Sequence, residues 1–122
     1  MLETSKLVAD AADRTTELYD WGELKWLCNA ALSPGAALTF GHCRIHPGKR
    51  NPVHYHPNCE EVLYMLAGVG RHGLDDREIE LRAGMTIRIP VGVRHYLINT
   101  GSEPIECLIA FSSGSRETTF LE

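Results

Sequence analysis

The amino-acid sequence predicts an all-β protein in which short strands form a two-sheet sandwich or barrel. Apolar or alternating stretches recur roughly every 8–12 residues, Gly and Pro separate them, and convincing helix signals are missing. A chain of 122 residues has the length of one domain and can bury a hydrophobic core without further cross-links.

The predicted strands follow one another along most of the chain. They cover residues 23–28, 37–46, 62–67, 70–73, 78–82, 85–89, 95–99 and 105–111. Asp75 and Asp76 suit the tight turn of a hairpin, because Asp tolerates positive φ. Pro90 has no N–H group for a central ladder, so it ends the strand before it.

The N-terminal 20 residues give the weakest signal, so we divide the chain into an N-terminal segment, 1–20, and a β-barrel, 21–122. Three interpretations of the segment remain open. It forms an extra edge strand that a dimer exchanges with its second subunit, an ordered tail, or a short helix around residues 7–12.

Charge and composition exclude several classes of protein. The net charge is −4 and the 12 basic residues are scattered, so we expect no nucleic-acid partner. No apolar run approaches the roughly 20 residues that cross a membrane, and the N-terminus does not resemble a secretory signal. The cysteines have irregular spacings that favour reduced thiols in a cytoplasmic protein; they are Cys28, Cys43, Cys59 and Cys107.

Three histidines and one glutamate predict a metal site. His54 and His56 are two residues apart, so on a strand both imidazoles project from the same face. Glu61 follows a turn and begins the next strand, and His95 begins a later strand after another turn. Three imidazoles and one carboxylate suit one divalent transition metal, Fe, Mn, Ni or Zn, and leave coordination positions open.

These residues fall into two motifs that resemble those of the cupin superfamily. The first motif is met by Gly48, His54, His56, Glu61 and Gly68. The second motif is met by Gly84, Pro90, Gly92, His95 and Asn99. Two motifs in register are far more specific than one.

The resemblance implies a single-domain double-stranded β-helix, or jelly-roll, and a small-molecule ligand. It is compatible with three functions: a dioxygenase-like oxidoreductase, which we favour, a non-redox isomerase, decarboxylase or lyase, and a module that binds an organic anion or sugar acid without turnover. Similar barrels pair through the outer face of one sheet, so we expect a homodimer.

Strand alternation gives weaker candidates for substrate contacts. With the metal ligands facing inward, Met65 and Leu97 also point into a mostly apolar pocket. His42 and Arg44, with His46, share one face of the preceding strand. They either attract an anionic substrate at the pocket mouth or form a solvated edge-strand face.

Other polar and aromatic residues are assigned structural roles. Glu60 lies one residue out of register with the ligands and should face away, Asn99 should lock a turn, and His72 should be exposed. Trp21 and Trp26 are expected to be core or dimer anchors.

Overall fold

The computed structural model describes residues 2–122, so only Met1 of the N-terminal segment lies outside the described residues. Its secondary structure is almost entirely β, with one 3-10 helix at Ala11–Asp13. The strands are β1 Thr16–Tyr19, β2 Gly22–Cys28, β3 Thr39–Ile45, β4 His54–Tyr55, β5 Glu61–Ala67, β6 Val69–Leu74, β7 Arg77–Arg82, β8 Thr86–Ile89, β9 His95–Asn99, β10 Ile105–Phe111 and β11 Thr119–Phe120. All eight predicted strands are confirmed, with ends that differ by two residues or fewer.

Two antiparallel sheets form the predicted jelly-roll. One has six strands in the order β1-β2-β3-β10-β5-β8, and the other has five in the order β11-β4-β9-β6-β7. Burial alternates along four strands of the first sheet, β3, β5, β8 and β10, so every second side chain of these strands faces the core. The core therefore fills the space between the sheets.

The N-terminal segment contains a strand as well as the short helical turn. β1 pairs with β2 of the same chain, from Thr16 opposite Lys25 to Tyr19 opposite Gly22. This places it at an edge of the six-stranded sheet. Exchange of this strand with a second subunit stays a prediction.

Turn residues have the roles that their chemistry suggests. Asp75 has a φ of 53° in the hairpin between β6 and β7, and Gly92 has a φ of 80° after β8. Asn99 is buried and its amide donates to the backbone carbonyls of Ile45 and Glu103, at 3.0 and 2.8 Å. Its oxygen accepts from the backbone N–H of Gly101. The turn-locking role of Asn99 is confirmed.

None of the helical structure within residues 2–122 is both long and apolar enough to cross a membrane.

Candidate metal centre

The four predicted metal ligands come from both sheets and meet at one end of the core. His54 lies in β4 directly opposite His95 in β9, so the five-stranded sheet brings these two side by side. His56 follows β4, and Glu61 begins β5 in the six-stranded sheet. Strand pairing joins His54 to His95, 41 positions apart, and packing of the two sheets adds Glu61.

The ligand atoms of these residues are close enough to share one ion. One atom from each of His54, His56, Glu61 and His95 lies within 4.8 Å of all the others. Glu61 Oε1 is 3.1 Å from His95 Nε2 and 3.3 Å from His56 Nε2. His56, Glu61 and His95 are buried, and His54 is partly buried.

Backbone carbonyl groups orient all three imidazoles. The Nδ1 atoms of His54, His56 and His95 lie 2.7, 2.9 and 2.8 Å from the carbonyl oxygens of Pro52, Glu117 and Val93. A carbonyl can only accept, so each Nδ1 carries the proton in the neutral ring. Each Nε2 then presents its lone pair, which is the arrangement that metal-binding histidines use.

A bound cation explains the positions of these polar atoms better than hydrogen bonds within the protein do. A neutral His95 that donates from Nδ1 has a lone pair at Nε2, and that lone pair faces the Glu61 carboxylate oxygen. His56 Nε2 is buried and finds no hydrogen-bond partner among residues 2–122. A positive ion between these atoms satisfies both, so the four residues form a centre for one divalent metal ion.

The electrostatics of the centre keep His54 and Glu61 in their metal-binding forms. Burial, helped by the charge of His95, lowers the pKa of His54 to about 4, so this ring is neutral near pH 7. Burial opposes ionisation of Glu61, yet His56 and His95 hold its pKa well below the usual range. Burial would also lower the pKa of His95, but the hydrogen bond and charge of Glu61 raise it overall. Neutral imidazoles and an ionised carboxylate are the forms that bind metals.

A cavity of about 290 Å³ opens beside the four ligands. Apolar side chains, many of them aromatic, make up most of its wall; they include Tyr19, Trp21, Trp26, Leu63, Leu97, Ile109, Phe111 and Phe120. The prediction of a mainly apolar pocket around the metal ligands agrees with this lining. Open metal positions would therefore face a space that holds a small organic molecule.

The weaker substrate candidates divide into two groups. Leu97 lines the cavity, whereas Met65 is fully buried in the core and is not part of the cavity wall. His42 and Arg44 lie outside the cavity, on the outward face of β3, because Cys43 and Ile45 occupy the inward positions. Both pair with Glu106 on the neighbouring strand, at 2.8 and 2.9 Å. Their outward position agrees with the alternative interpretation of a solvated face, but β3 lies between β2 and β10 and is not an edge strand.

His72 contradicts the expectation that it is exposed. Its exposed fraction is 1%, it lines the cavity, and its ring stacks on that of His95 with centroids 5.8 Å apart. The reason is that β6 pairs with β9, so His72 lies opposite Leu97 and turns inward. Burial, with the charge of His95, lowers the pKa of His72 to about 4, so the ring is neutral.

Trp21 and Trp26 pack against the core, as one of the two predicted roles requires, and also line the cavity. Glu60 pairs with Arg88 at 2.6 Å, on the side of the strand away from the ligands, as predicted. Cys59 is buried, and burial raises the pKa of its thiol.

The segment after β10 contributes cavity residues that the sequence patterns did not indicate. Arg116, Thr118, Phe120 and Glu122 all line the cavity, and they are spaced two residues apart. The backbone oxygen of Glu117 in the same segment orients His56. The two-residue spacing of these cavity residues was a usable signal of extended chain. The segment nevertheless has too few apolar residues to be recognised as a strand.

Comparison with known proteins gives the family of this fold and site. The family model of the cupin domain matches residues 41–111, more than half of the chain. The chain belongs to the cupin family. This cupin is 34% identical over 93 residues to protein SchB of Streptomyces halstedii, an alignment that covers 76% of the chain and 66% of SchB.

Two further proteins are similar to this cupin. Polyketide synthase CurC of Streptomyces cyaneus is 33% identical over 82 residues, which cover 67% of the chain and 53% of CurC. The crystal structure of Lactobacillus farciminis oxalate decarboxylase in complex with formate superposes with a TM-score of 0.83 at 25% identity. That match covers 90% of the chain and 34% of the decarboxylase. The cupin thus corresponds to between about one third and two thirds of the length of these proteins.

Proposed function

We propose that this cupin is a metal-dependent, dioxygenase-like enzyme that acts on a small planar enol or catechol. The observation that carries the proposal is the position of the four ligands at the wall of an aromatic cavity. A protein that only stored a metal would not need a cavity of about 290 Å³ beside it.

The ligand set supports a role for the metal in the reaction. Three imidazoles and one carboxylate leave about two positions of a six-coordinate ion for substrate or O₂. When bound, a redox-active ion such as Fe(II) or Mn(II) would exchange electrons with O₂ and lower the pKa of a substrate hydroxyl group.

The side chains of the cavity suit a flat, unsaturated molecule. Trp26 and Phe111 lie edge to face with ring centroids 6.0 Å apart, and Phe111 also contacts the His56 ring at 4.9 Å. These rings would hold a planar substrate by stacking and keep water away from the ligands. The similarity to a polyketide synthase agrees with this class, because polyketides carry β-diketone groups that enolise.

O₂ consumption tests the proposal directly. We expect protein loaded with Fe(II) or Mn(II) to take up O₂ with one class of compound from a panel of β-diketones, catechols and keto acids. The Glu61→Ala variant, treated in the same way, should show background uptake only. No substrate-dependent O₂ uptake with either metal would reject the oxygenase.

A non-redox lyase is the second candidate, and the similarity to oxalate decarboxylase supports it. The same metal site would act as a Lewis acid on a carboxylate or keto acid. Release of CO₂ without net O₂ uptake would favour this candidate. Tight binding without any turnover would instead favour a small-ligand binding module.

We also propose a homodimer and a cytoplasmic location. Val62, Tyr64 and Leu66 point outward from β5 with exposed fractions of 39, 40 and 45%, forming an apolar stripe on the six-stranded sheet. A second copy of the chain would cover this stripe. The four cysteines are free thiols, which suits a reducing compartment.

A further inference from the structure

Arg116 is a cation in the wall of the metal-site cavity, and the proposed function assigns it no role. It follows β10 and lines the same cavity as the four metal ligands. Its Cζ atom lies over the Trp26 ring, 4.3 Å from the centroid, and 5.2 Å from the centroid of Phe111. The side chain is partly buried, and stacking on these two rings restricts where the guanidinium group can lie.

The guanidinium group lacks a carboxylate partner within the described part of the chain. Five other arginines each form an ion pair with Asp or Glu within 4.0 Å; they are Arg44, Arg50, Arg71, Arg88 and Arg94. Arg116 forms none among residues 2–122, and its side-chain hydrogen bond goes to the neutral hydroxyl of Thr118, at 2.5 Å. A partly buried charge normally has a counter-charge, since desolvation is costly without one.

Burial lowers the pKa of Arg116, and the negative charge of Glu61 opposes this effect. A bound divalent ion takes up the negative charge of Glu61, because that carboxylate is one of its ligands. The metal-bound protein then has an Arg116 cation whose remaining N–H groups are free to donate to a ligand.

Arg116 and the metal-ligand residue His56 lie close together in the cavity wall. Phe111 contacts both the His56 ring, with ring centroids 4.9 Å apart, and Arg116, whose Cζ atom lies 5.2 Å from the Phe111 centroid. Thr118 accepts from Arg116 and lies 3.2 Å from His56 Nδ1. Arg116 and a metal ligand thus contact the same two side chains in one cavity wall, so a molecule of about one ring can reach both.

We propose that Arg116 binds an anionic group of the substrate, a carboxylate, while the enol or catechol oxygens of the same molecule face the metal. The proposal rests on the proposed function and narrows its substrate to planar enolic or catecholic carboxylates. Arg116 is the residue suited to this role, because a guanidinium donates two parallel hydrogen bonds to a carboxylate and stacks on aromatic rings.

Two probes that differ by one carboxylate test the proposal. Anaerobic calorimetric titrations of Mn(II)-loaded protein would measure the Kd of catechol and of protocatechuate, which is a catechol with a ring carboxylate. We expect protocatechuate to bind the unaltered protein at least about 10-fold more tightly, the effect of one or two charge-assisted hydrogen bonds. Arg116→Gln should lose this preference and keep its affinity for catechol, while Arg116→Lys should keep part of the preference.

Arg88→Gln is the matched control, because Arg88 pairs with Glu60 outside the cavity. It should bind both probes as the unaltered protein does. The proposal is overturned if the unaltered protein shows no preference or binds neither probe. It is also overturned if Arg116→Gln and Arg116→Lys, with unchanged metal content, lose affinity for both probes equally, since that indicates a structural role.

Binding and turnover separate this proposal from the oxygenase. A carboxylate preference that depends on Arg116 supports the anion site even if no O₂ is consumed. O₂ uptake with a substrate that has no carboxylate, together with unaltered probe binding in Arg116→Gln, supports the oxygenase and rejects the anion site.

Discussion

The imidazole Nδ1 of His56 lies 2.9 Å from the backbone oxygen of Glu117, 61 residues further along the chain. The contact ties a predicted metal ligand, which follows β4, to the segment that follows the last long strand. That segment therefore orients His56 and, through Arg116 and Thr118, also forms part of the cavity wall. The same stretch of chain thus contacts a residue of the metal-binding group and lines the cavity beside it.

The ligand set predicts that the purified protein carries close to one equivalent of a transition metal. His56→Ala and Glu61→Ala should each lose most of it, because both side chains supply buried ligand atoms. Elemental analysis of the purified variants measures this. Glu60→Ala is the matched control, since Glu60 pairs with Arg88 outside the site, and it should retain its metal. Full metal retention in both ligand variants would contradict the site.

Asn58 holds the segment that orients His56. Its amide donates to the Ser115 oxygen and its oxygen accepts from the Glu117 N–H, both at 2.9 Å. Asn58→Ala should weaken metal binding about 10-fold, as loss of an outer-shell contact does, and lower the free energy of unfolding by about 1 kcal/mol. Competition with a metal-sensitive dye would give the affinity. Unchanged affinity would show that Glu117 keeps its position without Asn58.

His72 is predicted to be a cavity residue and not a fifth ligand, because the four-residue cluster does not include it. His72→Leu should keep its metal content, and a change of free energy of unfolding under about 1.5 kcal/mol is expected for a substitution of similar volume. Elemental analysis and urea unfolding measure the two effects. Loss of the metal from a folded His72→Leu variant would extend the ligand set to this ring.

The apolar stripe on β5 predicts the oligomeric state. Tyr64→Glu places a charge in the middle of the stripe and should convert a dimer into a monomer, because a buried unpaired charge costs several kcal/mol. Sedimentation at micromolar concentrations distinguishes the two. Glu80→Gln, on an exposed position of β7 in the other sheet, serves as the control. A monomeric unaltered protein, or a dimeric Tyr64→Glu variant, would reject this interface.

The sequence was sufficient to predict eight of the eleven strands and the four residues of the metal-binding group. In extended chain the period of two predicts which residues share a face, so His54 and His56 are expected to point the same way and Glu60 to point away from Glu61. Gly and Pro mark the turns through their backbone constraints, which are local. Both kinds of information lie within a few neighbouring residues.

Only the tertiary structure decided which strand faces point into the core and the cavity. His72 is buried because β6 pairs with β9, and His42 and Arg44 are outside the cavity because Cys43 and Ile45 take the inward positions of β3. Arg116 reaches the metal cavity because the chain after β10 crosses back to β4, where Thr119 pairs with Tyr55. These outcomes depend on pairing between strands far apart in the sequence, and local periodicity carries no information about the partner of a strand.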